Sequence, residues 1–129
     1  MLDAGVLCLA LGACLKPGGG GSLHVPPASI PRGTPFALEL ELTSVHESPP
    51  IDRQMTRITC HYRLAGGRWF TPLAMAPTGV IDRKLVARAV LPAFPREAAG
   101  PVEYYFDYHF DGVHNSHNSA SDPFQVPFQ

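Results

Sequence analysis

The 129-residue chain reads as an all-β protein: a single antiparallel sandwich of six or seven short strands with an apolar N-terminal arm. Three observations predict this. Residues 102–110, VEYYFDYHF, alternate Val102, Tyr104, Phe106, Tyr108 and Phe110 with Glu103, Tyr105, Asp107 and His109, the period of two of a strand with one buried face. Residues 36–43, FALELELT, do the same, with Phe36, Leu38, Leu40 and Leu42 set against Glu39, Glu41 and Thr43. Fourteen prolines and twelve glycines punctuate the rest, and no helical period runs through the core region, so many short elements joined by turns are expected.

The remaining composition narrows the function classes. With 45% apolar and 16% charged residues the chain can bury one core, and its length suits one domain. A net charge of -1 gives no field to draw nucleic acid or an anionic membrane, so no nucleic-acid partner is expected. Three cysteines, two of them in the first fifteen residues, imply no disulfide framework.

Taken in order, residues 1–15 are apolar apart from Asp3 and too short to span a membrane as a helix. Leu11, Gly12, Ala13 and Cys14 resemble the lipobox of bacterial lipoproteins, which implies acylation at Cys14, export, and a membrane-anchored place in the periplasm or cell envelope. Asp3 is the only charge before Lys16, where a signal peptide carries a basic n-region, so an uncleaved apolar arm or an extra strand remains the other reading. Residues 18–21 are all glycine and fit a flexible tether. The domain division is therefore 1–21, leader or anchor plus tether, and 22–129, the sandwich.

Residues 23–25 read as a brief edge strand stopped by Pro26 and Pro27. Residues 36–43 are a strand, and 44–54, with two prolines, a surface loop. Residues 56–64 alternate Ile58, Cys60, Tyr62 and Leu64 inward against Arg57, Thr59, His61 and Arg63. A turn at Gly66 and Gly67 leads to a return strand over 68–75 that Pro72 marks as an edge. Residues 76–82 read as a loop, 85–91 as a strand with Leu85, Ala87, Ala89 and Leu91 inward, 92–101 as a crossing, 111–122 as a polar loop, and 123–128 as the closing strand.

The run ITCHYRLAGGRWFTPLAM, the strand ending LPAFP, VEYYFDYHFDG and the terminal DPFQV together resemble an immunoglobulin-like or early-set module of secreted bacterial proteins, over roughly residues 23–129. Cys60 has no partner cysteine in the later strand, so the resemblance is to the wider superfamily. It implies a module that binds, spaces or presents.

Sites of chemistry are sparse. His109, His114 and His117, with Asp107, Asp111, Asn115 and Asn118, form the densest polar cluster, weak candidates for a metal, since imidazole is a common ligand. The spacing matches no closed metal motif, and a solvated loop turning at Asp111 and Gly112 is the preferred reading, with no cofactor. Cys60, on the inward phase, is a small buried hydrophobe. No nucleophile elbow or phosphate loop occurs, and Glu103 with Asp107 reads as a solvated face, so no catalytic residue is assigned. Trp69, Phe70 and Tyr105, with Asn115 and Asn118, make the candidate binding surface, although a lone Trp more often covers the end of a core.

Two functions follow as expectations. The first is a non-catalytic accessory or structural subunit of a membrane-associated envelope assembly, with other envelope proteins as partners. The second is a carbohydrate-binding module using exposed aromatics and the Asn/His-rich segment.

Overall fold

The computed structural model describes the backbone of residues 7–8 and 13–15 and the whole of residues 20–129. Two antiparallel sheets enclose one core. The first contains β1 (Leu7–Cys8), β2 (Ala13–Leu15), β3 (Gly20–Leu23), β4 (Phe36–Ser44), β7 (Ala76–Ile81) and β8 (Lys84–Leu91), in the order β1-β2-β3-β4-β8-β7. The second runs β10-β9-β5-β6, from β5 (Met55–Leu64), β6 (Thr71–Ala74), β9 (Val102–Phe110) and β10 (Val113–His117), and β11 (Phe124–Val126) also pairs with β9. The chain changes sheet between β4 and β5, at Met75 between β6 and β7, and between β8 and β9.

The predicted alternation decides what the sheets bury. Leu38, Leu40 and Leu42 of β4, Leu85, Ala87, Ala89 and Leu91 of β8, Ile58 and Cys60 of β5, and every second residue of β9 from Val102 to Phe110 are buried together. The alanines of β8 leave room for Tyr104, Phe106 and Tyr108, three of the largest fully buried side chains. Phe36, Tyr62 and Leu64 pack at the margin.

More strands form than the sequence predicts. Residues 76–81, read as a loop for their proline and glycine, are an edge strand paired with β8, with a register shift between Pro77 and Gly79 that accommodates both. Residues 113–117 are likewise a strand: Asp111 (φ 49°) and Gly112 (φ 80°) make a two-residue turn of the kind that suits strand twist, and lay Val113 opposite Phe110. The 44–54 loop contains one helical turn, α1 (Ile51–Gln54), with Ile51 in the core. Buried Gln54 fastens it, accepting from the Ser44 hydroxyl at 2.6 Å and donating to the carbonyls of His46 (3.0 Å) and Pro49 (2.5 Å).

At the N-terminus the tether and edge-strand expectations need correction. Gly20 and Gly21 belong to β3, opposite Ser44 and Thr43, and β2 covers the outer side of β3, with Cys14 opposite Ser22. Glycine is required at residue 20 by space, because a Cβ there would stand 2.7 Å from the Phe110 ring. Leu11, Gly12, Gly18 and Gly19 lie outside the described residues.

Within β5, one extra residue between Thr56 and Thr59 makes a bulge around Arg57, whose φ of 52° is unusual for a side chain of its size. Thr56 pairs with His109 and Thr59 with Asp107, so the bulge keeps both flanks of β5 in phase. His61 and Arg63 therefore stand on the outer face beside β9.

Candidate functional site

The outer face of the second sheet collects the side chains that β9 turns away from the core. Strand pairing sets His61 opposite Tyr105 and Arg63 opposite Glu103 on one side, and His114 opposite His109 and Gln125 opposite Glu103 on the other. Directly opposed residues share a face, and diagonal neighbours remain within reach of long side chains.

Three linked groups result. Glu103 accepts from Arg63 Nε at 2.9 Å and from Gln125 Nε2 at 2.7 Å, and these donors, Gln125 foremost, hold its carboxyl below the usual carboxylate range. The Arg63 guanidinium also lies 4.1 Å over the Phe70 ring. In the middle, His61 stacks on Tyr105 at 4.6 Å and 9°, and Phe70 meets Tyr105 edge-on at 5.1 Å. Partial burial, and secondarily the Asp107 carboxylate, push the Tyr105 hydroxyl upwards. At the far end Asp107 Oδ2 is approached by His61 Nε2 at 3.1 Å and His114 Nε2 at 3.2 Å. The His114 contact has hydrogen-bond geometry; the His61 contact is close but not aligned as one. The two imidazoles come from strands on opposite flanks of β9, so one carboxylate links β5, β9 and β10.

Against the expected surface, this face retains Phe70 and Tyr105. Trp69 is a correction, because it caps no core: it is 75% exposed, with the Arg68 guanidinium 5.2 Å from its ring. It precedes β6, where no strand phase turns it inward. Asn115 separates from Tyr105, because it stands opposite Tyr108 and so takes the other face of the sheet, its side chain donating to the Val113 carbonyl at 3.0 Å. Asn118 sits in the turn after β10 at φ 60°.

The histidine cluster also divides. His109 and His114 are neighbours, 5.6 Å between ring centroids, whereas His117 faces inward opposite Phe106 and is fully buried. From His114 to His117 is three residues, an odd number, and in a strand an odd step changes face. Among the described residues no group of three His, Cys, Asp or Glu has metal-holding spacing. Cys60 is buried, and desolvation pushes its thiol up to about 12.

A second polar group, unforeseen in the sequence, joins the sheets from within. Ser22 Oγ and His117 Nδ1 are 2.7 Å apart, and His24 Nε2 and Tyr104 Oη are 2.6 Å apart; Ser22 is 4% exposed and His24 2%. His24 Nδ1 lies 2.6 Å from the Glu39 carbonyl, which only accepts, so Nδ1 carries the proton and Nε2 of the neutral ring accepts from the Tyr104 hydroxyl. Phe124 lies between the two rings, 4.9 Å from His24 and stacked on His117 at 5.6 Å. Burial lowers the His24 pKa, against a smaller raising effect of the Glu39 carbonyl, and raises that of Tyr104. Tyr108 is also raised by burial, eased by the nearby Ser22 hydroxyl, without an aligned hydrogen bond between them. The Ser22 and His117 pair thus joins the sheets inside the core, closed to substrate. The one sequence signal was that Gly20, Ser22 and His24 share a strand phase.

No known protein family matches the chain, and no curated protein matches its sequence.

Proposed function

We propose that the chain is a non-catalytic, immunoglobulin-like interaction module that binds a partner protein through the outer face of its second sheet. One observation carries the reading. Arg63, Phe70, Tyr105, His61, Asp107 and His114 form a continuous patch fixed by ring stacking and by the Arg63–Glu103 and His114–Asp107 hydrogen bonds, and exposed Trp69 precedes Phe70 in the chain. Tyr, Trp and Arg are the residues that dominate protein interfaces, and side chains already fixed by stacking and hydrogen bonds lose little freedom on association. The lipobox-like residues 11–14 support a cell-envelope setting, with this module as an accessory subunit of a membrane-associated assembly; cleavage before Cys14 in that setting removes β1 and Ala13 and leaves β3–β11 intact.

Sugar binding is the weaker alternative. It needs two exposed coplanar rings, and Trp69 is the only exposed Phe, Tyr or Trp among the described residues. Tyr105 already spends one ring face on His61.

Affinity capture from solubilised envelope fractions tests the reading, comparing the native chain with the Tyr105→Ala and Trp69→Ala variants. A stoichiometric protein partner kept by the native chain and lost by both folded variants is the expected result. Equal retention by all three, or binding to a glycan array in place of a protein, refutes it. A Cys14→Ser variant that stays in the membrane fraction refutes lipidation separately.

A further inference from the structure

Along half its length β4 has no neighbouring strand on one side among the described residues. The Ser44 N–H donates to the Arg83 carbonyl, so Ser44 turns its backbone groups towards β8, while the Glu39 carbonyl accepts from His24 on the other side. Backbone groups alternate sides along an antiparallel ladder. Even-numbered residues of β4 therefore serve β8, and Ala37, Glu39, Glu41 and Thr43 turn towards β3. The β3 ladder ends at Leu23, opposite Glu41. Beyond it the chain continues through Pro26 and Pro27, which have no N–H to offer, so Ala37 and Glu39 face no strand among the described residues.

A groove of about 360 Å3 lies along this edge. Leu23, Val25, Pro27 and Phe36 supply apolar walls, and Glu39 and Glu41 the acidic ones. Glu41 is paired with Lys84 at 2.8 Å. Glu39 stands opposite Arg88 in register, yet has no ion pair among the described residues, and so brings an uncompensated carboxylate to the groove.

We propose that this edge accepts an extended segment of a partner protein as an added strand, one that alternates apolar residues with Lys or Arg. The Ala37 N–H and carbonyl and the Glu39 N–H supply the strand pairing, the Glu39 carbonyl being held by His24; the apolar side chains enter the groove, and the basic ones meet Glu39 on the outer face. An exposed edge of this kind is a template for another strand unless something blunts it. Neither proline nor an inward charge does so between Phe36 and Leu40. This surface is on the opposite sheet from the aromatic patch and is independent of it.

The test is an NMR titration of the isotope-labelled full chain with the peptide acetyl-VKVKV-amide. Saturable one-to-one binding is expected, with the largest shifts at the amides of Ala37, Glu39 and Val25, and with both β4 amides newly protected from exchange. Ala37→Pro removes one N–H from the groove without touching the ladder to β8, and should weaken binding about tenfold or more. The same peptide with alternate backbone nitrogens methylated should not bind, and that arm uses the native chain, so it holds even if the proline variant does not fold. No saturation up to about 5 mM peptide, or equal affinity for the methylated peptide, overturns the proposal. Shifts at the same amides on raising protein concentration alone, with a dimer in sedimentation, would make a second copy the occupant and overturn the partner-strand assignment. Loss of this binding with capture by the aromatic patch retained, or the reverse, separates the two readings.

Discussion

Lowering the pH should destabilise the protein through His24, by an amount the structure bounds. His24 is neutral and buried between the sheets, its Nδ1–H on the Glu39 carbonyl and its Nε2 on the Tyr104 hydroxyl. A proton added to Nε2 would lose the Tyr104 donor and place a charge among Tyr104, Phe106 and Phe124. Its folded pKa therefore lies below the 6.5 of the unfolded chain. Above pH 6.5 both states are neutral and the term vanishes; as pH falls below it, the unfolded chain takes up a proton that the folded one refuses, and stability falls. The slope approaches about 1.4 kcal/mol per pH unit, or roughly 1.3 kcal/mol between pH 7 and pH 5.5 if the folded ring stays neutral throughout.

Urea unfolding at those two pH values measures it, with His24→Gln as the comparison. Glutamine can donate to the Glu39 carbonyl and accept from Tyr104, but it does not titrate. The native chain should lose up to about 1.3 kcal/mol more than the variant, equivalent to ~4–6 °C in thermal midpoint for a domain of this size. Because His117 and the surface histidines are common to both proteins, the difference isolates His24. Identical pH slopes would mean that the ring is not held neutral, and the inter-sheet hydrogen-bonding scheme built on its tautomer would fall.

Three further outcomes follow from the core. Phe106→Ala should cost ~3–5 kcal/mol in denaturant unfolding, because the ring is fully buried between the sheets against His24 and Phe124. Gly20→Ala sets a Cβ 2.7 and 2.9 Å from two Phe110 ring atoms and should cost ~1–3 kcal/mol by calorimetry; a neutral result would mean that β3 does not pass there. Cys60, with its thiol pushed up to about 12, should resist iodoacetamide at pH 8 in the native chain and react in urea, read by peptide mass mapping.

Alternation was a reliable guide wherever large apolar residues carried it, as in β4, β8 and β9, since only one phase of such a strand can leave water. It failed where tertiary pairing makes a strand without an apolar stripe. β7 contains Pro77 and Gly79 and is nearly all exposed, so its strand character comes from β8 alone. β10 is a polar sequence, held by the turn at Asp111 and Gly112 and buried chiefly at His117. The outer face of β9 was legible as a list of polar and aromatic residues, yet its organisation was not, because which residues of β5 and β10 stand opposite which of β9 is set by register, and alternation alone carries no register. Asn115 was grouped with Tyr105 through the same gap: a loop assigns no faces, and only the strand register does.

The two polar bridges and the open edge have a common origin in β3. Its inward positions are Gly20 and Ser22, and His24 continues the same phase just past its end; all three are too small or too polar to fix a register by packing. A one-residue slip would carry Leu23 into the core and cost little in apolar burial, so the Ser22 bond to His117 and the His24 bond to Tyr104 supply the specificity that side-chain volume does not. Holding His24 inward has a second consequence. Its ring, not a main-chain donor, satisfies the Glu39 carbonyl, and the chain then leaves β4 at the two prolines instead of continuing the ladder. The residues that pin β3 in place are thus the ones that leave Ala37 and Glu39 without a neighbouring strand.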